Sequence, residues 1–265
     1  MPQRYNYRKQ KIRSLRKRRK FYQFRSFWVL LLCLVLGGVV AYFALFFSKV
    51  QVRQVEITGN QKVATQDVET LAWKNINNSI LWFSTQSIFL EDPNALKANM
   101  LEQFPQIEDV KIQKKYFSSI SIAITERQPF ALFCELPANC FSIDKNGIIF
   151  EKTPPTPDSL IITSGHDQLE LFEGKHVIET KTIQAIAEVK DSLKQHFNID
   201  LKEALAANPL VFKTSEQWKA YFDPAADIGL QITKMNLLLK DDIPESARKK
   251  LQYIYLQYKD RAYYK

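Results

Sequence analysis

Histidine is scarce in this chain, with three among 265 residues, at His166, His176 and His196. No two sit four apart around a glutamate, so the H-E-x-x-H zinc motif is missing. Glycine is also thin, at seven residues, and none forms a phosphate-cradling loop. Of three cysteines, Cys33 lies in an apolar run. Cys134 and Cys140 have no neighbouring histidine and do not make a zinc site. The letters S-x-x-K occur at Ser14–Lys17 and at Ser246–Lys249. Neither S-D-N nor K-T-G accompanies them, so a penicillin-binding constellation is incomplete. Glu126, Asp144 and Glu151 remain as candidate carboxylates and, at strand ends, are expected to face water. No catalytic, cofactor-binding or metal-binding residue is assigned. Acid is absent from the first 25 positions, which hold 11 of the 37 Lys and Arg.

What is present begins directly after that basic tail. Residues 26–48 form an uncharged, mostly apolar run. As a helix the run would measure about 35 Å, enough to cross a hydrocarbon core of ~30 Å. Basic flanks stay in the cytoplasm. The sequence therefore predicts a single-pass membrane anchor with residues 1–25 inside and everything past Lys49 outside. A cleaved signal peptide would need a shorter apolar stretch and small residues at its end. Here the run ends in Leu45, Phe46, Phe47 and Ser48. Phe27, Trp28, Tyr42, Phe46 and Phe47 lie near its two ends, as interfacial aromatics do.

The net charge of +9 is a property of the tail. Beyond residue 25 the chain has 26 basic against 28 acidic residues, a net of −2. That part carries no electrostatic footprint for nucleic acid, and none is expected as a partner. The tail is expected to lie near anionic inner-leaflet lipid; a membrane-tethered nucleic-acid binder would have to use the tail alone. Cys134 and Cys140 flank five residues of turn-like connection. They read either as a disulfide clamping a hairpin or as two free thiols facing a core.

Past Val50 the pattern alternates. Val50, Val52, Val55 and Ile57 suggest a strand, closed by a turn at Thr58-Gly59-Asn60. Thr65 is the expected N-cap of a helix burying Val68, Leu71 and Ala72. Asp92-Pro93 starts a second helix, as cap and first helical residue. Val110 and Ile112 alternate with polar residues, as do Ile120, Ile122 and Ile124. The order strand, helix, helix, strand, strand implies two helices on one face of a small sheet. After Pro129 the reading is β-rich. It has a hairpin turn at Asp144–Gly147, helices from Thr180 and Asp227, and aromatic strands over 253–258 and 262–264. The fold class is α+β. A terminal strand is expected at a sheet edge, open to strand addition by a partner. Tyr258, Arg261 and Tyr263 are the candidate contact residues, with Tyr253 assigned to the core.

Several runs resemble the FtsQ/DivIB family of bacterial cell-division proteins. They are Val55–Asn60, Phe104–Val110, Glu126-Arg127-Gln128-Pro129 after the alternating isoleucines, and Asp144–Ile148. The end of the chain, Tyr253–Tyr258 with Arg261-Ala262, resembles the family's closing strand, though Tyr255 and Gln257 stand where Asp and Arg are usual. The resemblance implies a βααββ POTRA domain at 50–128 and an FtsQ-type β domain with flanking helices at 129–265. It also implies a septal scaffold in the cell membrane without catalytic activity or cofactor. That scaffold would bind an FtsB/FtsL-type coiled-coil complex through its outer β domain. A membrane-anchored cell-wall hydrolase or transpeptidase is the alternative, and would need a compact polar constellation that is not legible.

Overall fold

A computed structural model describes residues 25–80, 82–115, 118–136, 139–165, 170–259 and 261–265. The basic tail before Arg25, Tyr116 and Phe117, where the sequence suggests a turn, and His166 lie outside them. Helix α1 (Arg25–Phe46) buries none of its residues. Its apolar side chains face outward all round, which is the state of a helix built for a nonpolar solvent.

Two sheets follow. The first has three strands in the order β1-β5-β4, formed by β1 (Gln54–Thr58), β4 (Ile107–Lys115) and β5 (Ser119–Glu126). β1 runs parallel to β5, and β4 antiparallel to it. α2 (Thr65–Ile76) and α3 (Pro93–Gln103) supply Val68, Leu71, Ala72, Leu96 and Met100 to one core with Ile120, Ile122 and Ile124. Asp92 caps α3 as expected, its carboxylate accepting from the Asn94 N–H at 2.9 Å. Thr65, in contrast, is the first helical residue of α2, and Ala64 holds the cap position. The Thr65 hydroxyl instead accepts from Asn60 Nδ2 at 2.8 Å, tying the preceding turn to the helix. Gly59 sits in that turn at φ 87°, where a Cβ would meet Ile124 O at 2.1 Å.

The simple βααββ order is interrupted. Between the helices lies a separate two-stranded hairpin, β2 (Asn78–Ile80) and β3 (Phe83–Thr85). The run is too short for alternation to register, and its Trp82 and Phe83 are exposed.

The second sheet has nine strands, β14-β13-β12-β11-β10-β9-β6-β7-β8. They are β6 (Ala131–Leu136), β7 (Asn139–Ile143), β8 (Ile149–Lys152), β9 (Ile161–Thr163), β10 (Leu201–Leu205), β11 (Leu210–Thr214), β12 (Lys219–Phe222), β13 (Tyr253–Tyr255) and β14 (Tyr263–Tyr264). α4 (Thr180–Phe197) and α5 (Ile228–Leu237) cover one face. Ile183, Ile186, Val189 and Leu193 of α4 meet Phe133, Phe212, Trp218 and Phe222 there. α5 ends in a π-helical turn, Leu238–Asp242, which carries Leu239 into the core. A short α6 (Glu245–Arg248) leads into β13. Strands β9 and β10 were not expected from the sequence. They are five residues or fewer, with no polar alternation to mark them.

Candidate partner-binding face

The helices cover only one side of the nine-stranded sheet. Cross-strand pairing sets what the other side presents, because directly paired residues point to the same face. Leu205 pairs with Val211, Val211 with Tyr221, Tyr221 with Tyr255, and Tyr255 with Tyr263. That row runs unbroken from the middle of the sheet to its β14 edge. Ile254, on the opposite face, is buried in the core. The rings of Tyr221 and Tyr255 are 4.5 Å apart, and those of Tyr253 and Tyr255 4.8 Å. Desolvation, reinforced by Tyr221, holds the Tyr255 phenol above its ordinary pKa of 10.0. It is therefore a neutral hydrogen-bonding group throughout the neutral range.

The expected contact residues gather at this edge. Tyr258 and Tyr263 are both 48 % exposed. Their rings pack edge-to-face at 5.5 Å. Arg261 lies between them in sequence and is also exposed. Lys234 of α5 fixes the loop below, donating to the carbonyls of Tyr258, at 3.1 Å, and Lys259. A cavity of about 420 Å³ opens beside this loop, with Leu230, Leu256 and Tyr258 in its wall. Tyr253, expected in the core, is half-exposed on the open face instead. The one-residue alternation of β13 places Ile254 inward, so Tyr253 cannot be.

The edge itself differs from a bare terminal strand. β14 folds back antiparallel on β13, and Lys265 N–H donates to Tyr253 O at 3.2 Å. The chain thus covers most of the β13 edge, and the open edge belongs to β14.

The candidate carboxylates serve the junction between the two sheets. Asp144 does not face water. It is 3 % exposed and forms an ion pair with Arg127. It also accepts from the N–H groups of Asn146 and Ile148, each at 2.9 Å. Arg127 Nε donates to Pro105 O at 3.0 Å, so one guanidinium bridges the α3–β4 connection to the β7–β8 turn of the second sheet. Glu126 is half-buried, and its Oε1 accepts from the N–H groups of Gln61, Lys62 and Val63 at 2.7–3.0 Å. Glu151 pairs with Lys62 at 2.5 Å and remains partly exposed, in line with the sequence expectation. Each acid is engaged in holding backbone or a cation. None is paired with a nucleophile.

Cys134 and Cys140 are directly paired across β6 and β7, with their sulfurs 2.01 Å apart. Among the described residues no group of three His, Cys, Asp or Glu could hold a metal ion. A cavity of about 660 Å³ opens at the junction among Phe130, Leu160, Lys62, Lys190, Lys194 and Lys202. Its lining contains neither histidine nor cysteine.

Two comparisons bear on identity. Residues 50–127 match the model of the FtsQ-type POTRA domain. The chain is also similar to the cell division protein FtsQ of Zymomonas mobilis subsp. mobilis, at 26 % identity over 159 residues. The match covers 57 % of this chain and 50 % of that protein, so this chain aligns with about half the length of its curated relative. The two matches bear out the resemblance to the FtsQ/DivIB family, through a POTRA domain of the FtsQ type at residues 50–127.

Proposed function

We propose that this chain is a non-catalytic, membrane-anchored scaffold of the bacterial cell-division machinery, working at the septum by recruiting and linking other division proteins. α1 is its single membrane span. The basic tail, residues 1–25, stays in the cytoplasm beside anionic lipid, and residues past Lys49 lie on the outer side of the membrane. The outer part divides into units at 50–128 and 129–265. A Cys134–Cys140 disulfide closes the β6–β7 hairpin in that oxidising space.

The partner site is the β13–β14 edge, and the partner an FtsB/FtsL-type coiled-coil complex. One observation carries the reading: a tyrosine row that reaches an open strand edge, in a chain with an FtsQ-type POTRA domain. An added strand would bond to the free edge of β14, and backbone bonds would supply affinity. Tyr258 and Tyr263 combine apolar area with a hydroxyl and need few rotamers ordered. Arg261 supplies charge at the same rim.

The test uses Tyr258→Ala and Arg261→Glu in the full chain, with co-purification of the FtsB/FtsL-type complex and a melting curve for each variant. Lost co-purification at an unchanged melting temperature is the expected result. Full co-purification by both variants removes the site, and unfolding by either assigns those side chains to packing. Septal enrichment of a fluorescent fusion in dividing cells tests the scaffold role separately.

A further inference from the structure

Phe83, Phe89 and Leu90 lie outside both cores, although Ile88 beside them is buried in the first, and the segments that carry them are held firmly beside the end of α1. The last turn of a helix leaves carbonyls without intrahelical partners. Here Ser87 Oγ donates to Ala44 O at 2.8 Å, Thr85 Oγ1 to Leu45 O at 2.5 Å, and Gln51 Nε2 to Leu45 O at 2.6 Å. Thr85 and Ser87 are themselves buried. The Gln86 N–H donates to Gln51 Oε1 at 2.7 Å, and Val52 N–H to Gln86 O at 2.9 Å. The Phe83 ring meets the Phe46 ring edge-on at 6.2 Å. On the other side, Lys114 Nζ donates to Ile88 O at 2.7 Å and Glu91 O at 2.6 Å, clamping the turn that carries Phe89 and Leu90.

This rigid mounting displays apolar side chains to the outside. Trp82 is 93 % exposed, Phe89 66 % and Phe83 64 %. Leu90 and, from the end of α1, Phe43 and Phe47 are exposed beside them. An isolated two-stranded hairpin has little stability of its own in water, and such a surface is unfavourable there. Tryptophan and other aromatics favour the membrane–water interface, where an apolar ring and a polar edge are both accommodated.

We infer that the β2–β3 hairpin tip and the 88–90 turn sit in the outer interface of the bilayer that α1 crosses, as a second, shallow membrane contact. Its occupant is lipid, because the patch is continuous with the end of the span and bonded to its last carbonyls. The inference rests on the reading of α1 as a membrane span. Docking at this level holds the three-stranded unit against the membrane rather than on a free tether.

Tryptophan quenching by lipids brominated near the headgroup tests it, using the full chain in phosphatidylcholine–phosphatidylglycerol vesicles. The wild type is compared with Trp82→Phe, Trp28→Phe and the double variant. Trp82 is outside any core, so its replacement leaves folding intact. The expected result is that Trp82→Phe and Trp28→Phe each remove roughly half of the quenchable emission, and the double variant nearly all. Unchanged quenching in Trp82→Phe, with its loss in Trp28→Phe, overturns the hairpin contact and leaves the span standing. Quenching that Trp28→Phe does not reduce removes the span, and the inference falls with it.

Discussion

Replacing Arg127 with alanine probes the bolt between the two sheets. The Arg127 side chain is 12 % exposed and that of Asp144 5 %. Truncation removes the guanidinium's charge-assisted bond to Asp144 and its bond to Pro105 O. Removing one partner of a buried pair typically costs ~3–5 kcal/mol, because the other charge stays buried. Asp144 keeps the N–H donors of Asn146 and Ile148, which stabilise the remaining carboxylate. The lower end, about 3 kcal/mol, is therefore expected. For a chain of this size each kcal/mol shifts the melting temperature by about 2–4 °C, so Arg127→Ala should melt about 6–12 °C lower.

The assay is a double-mutant cycle with Asp144→Asn, read by thermal melting of the full chain. If the pair is coupled as drawn, Asp144→Asn should cost markedly less in the Arg127→Ala background than alone. A loss under about 0.5 kcal/mol for Arg127→Ala, typical of exposed pairs, would refute a buried bolt. So would strict additivity of the two substitutions.

Glu126 gives a pH dependence of definite sign. Desolvation alone would raise its pKa, but the N–H groups of Val63, Gln61 and Lys62 outweigh it and hold it below 4.5. Its stabilising contribution is full above pH 4.5 and lost as pH falls through the folded value, so Glu126→Gln should flatten the acid limb of a stability–pH profile. Glu91 behaves oppositely: desolvation raises its pKa above 4.5, against the pull of Lys114, and among the described residues Oε1 has no hydrogen-bond partner. Stability attributable to it declines as pH rises from 4.5 through the folded value, and Glu91→Gln should melt higher than wild type at pH 7 but not at pH 4. Opening the short Cys134–Cys140 loop by Cys134→Ser with Cys140→Ser should cost about 2 kcal/mol, measured by denaturant titration against oxidised wild type.

The elements that were legible in the sequence share a physical property: each has one wet face. Ile120, Ile122 and Ile124 alternate with residues at the surface of β5, and α4 carries its apolar side chains at helical spacing, so periodicity records burial directly. Asp92-Pro93 could be read because cap and first-turn chemistry is local. The elements that escaped are those where burial is not periodic. β10 buries only Leu201 and Ala204, three apart, so no two-residue period marks it. β9 is three residues long and gains its place only from parallel neighbours far off in sequence, Leu132 and Glu203. The burial of Asp144 and the backbone partners of Glu126 were equally illegible. A carboxylate at a strand end reads as solvated until the donors that face it, from Arg127 and the 61–63 turn, are known. The tyrosine row is an intermediate case. The aromatics were visible, but their common face depends on the β12–β13–β14 register, and β14's return onto β13 depends on the loop after Leu256.

The bonds that sequence reading missed also bear on how the candidate edge would be presented. Three side chains tie the end of α1 to the segment 85–87, and Val52 is bonded to the same segment. Glu126 and Arg127 then leave β5 in opposite directions, one securing the 61–63 turn and the other the β7–β8 turn. Lys62 adds an ion pair to Glu151 across the same junction. A connection of only a few residues, Arg127 to Phe130, is thereby braced on both sides. Flexible linkage would let the β14 edge sample many heights and orientations, and an arriving strand would have to restrict that freedom on binding. A braced junction removes most of this ordering cost before the partner arrives, which is the general advantage of preorganisation. The tight loops at the junction, with Gly147 at φ 79° and a Cβ position only 2.2 Å from Ile178 O, fit that role. On the proposed reading they would fix the height at which the sheet edge is offered, and a partner's selection would be left to the side chains along it.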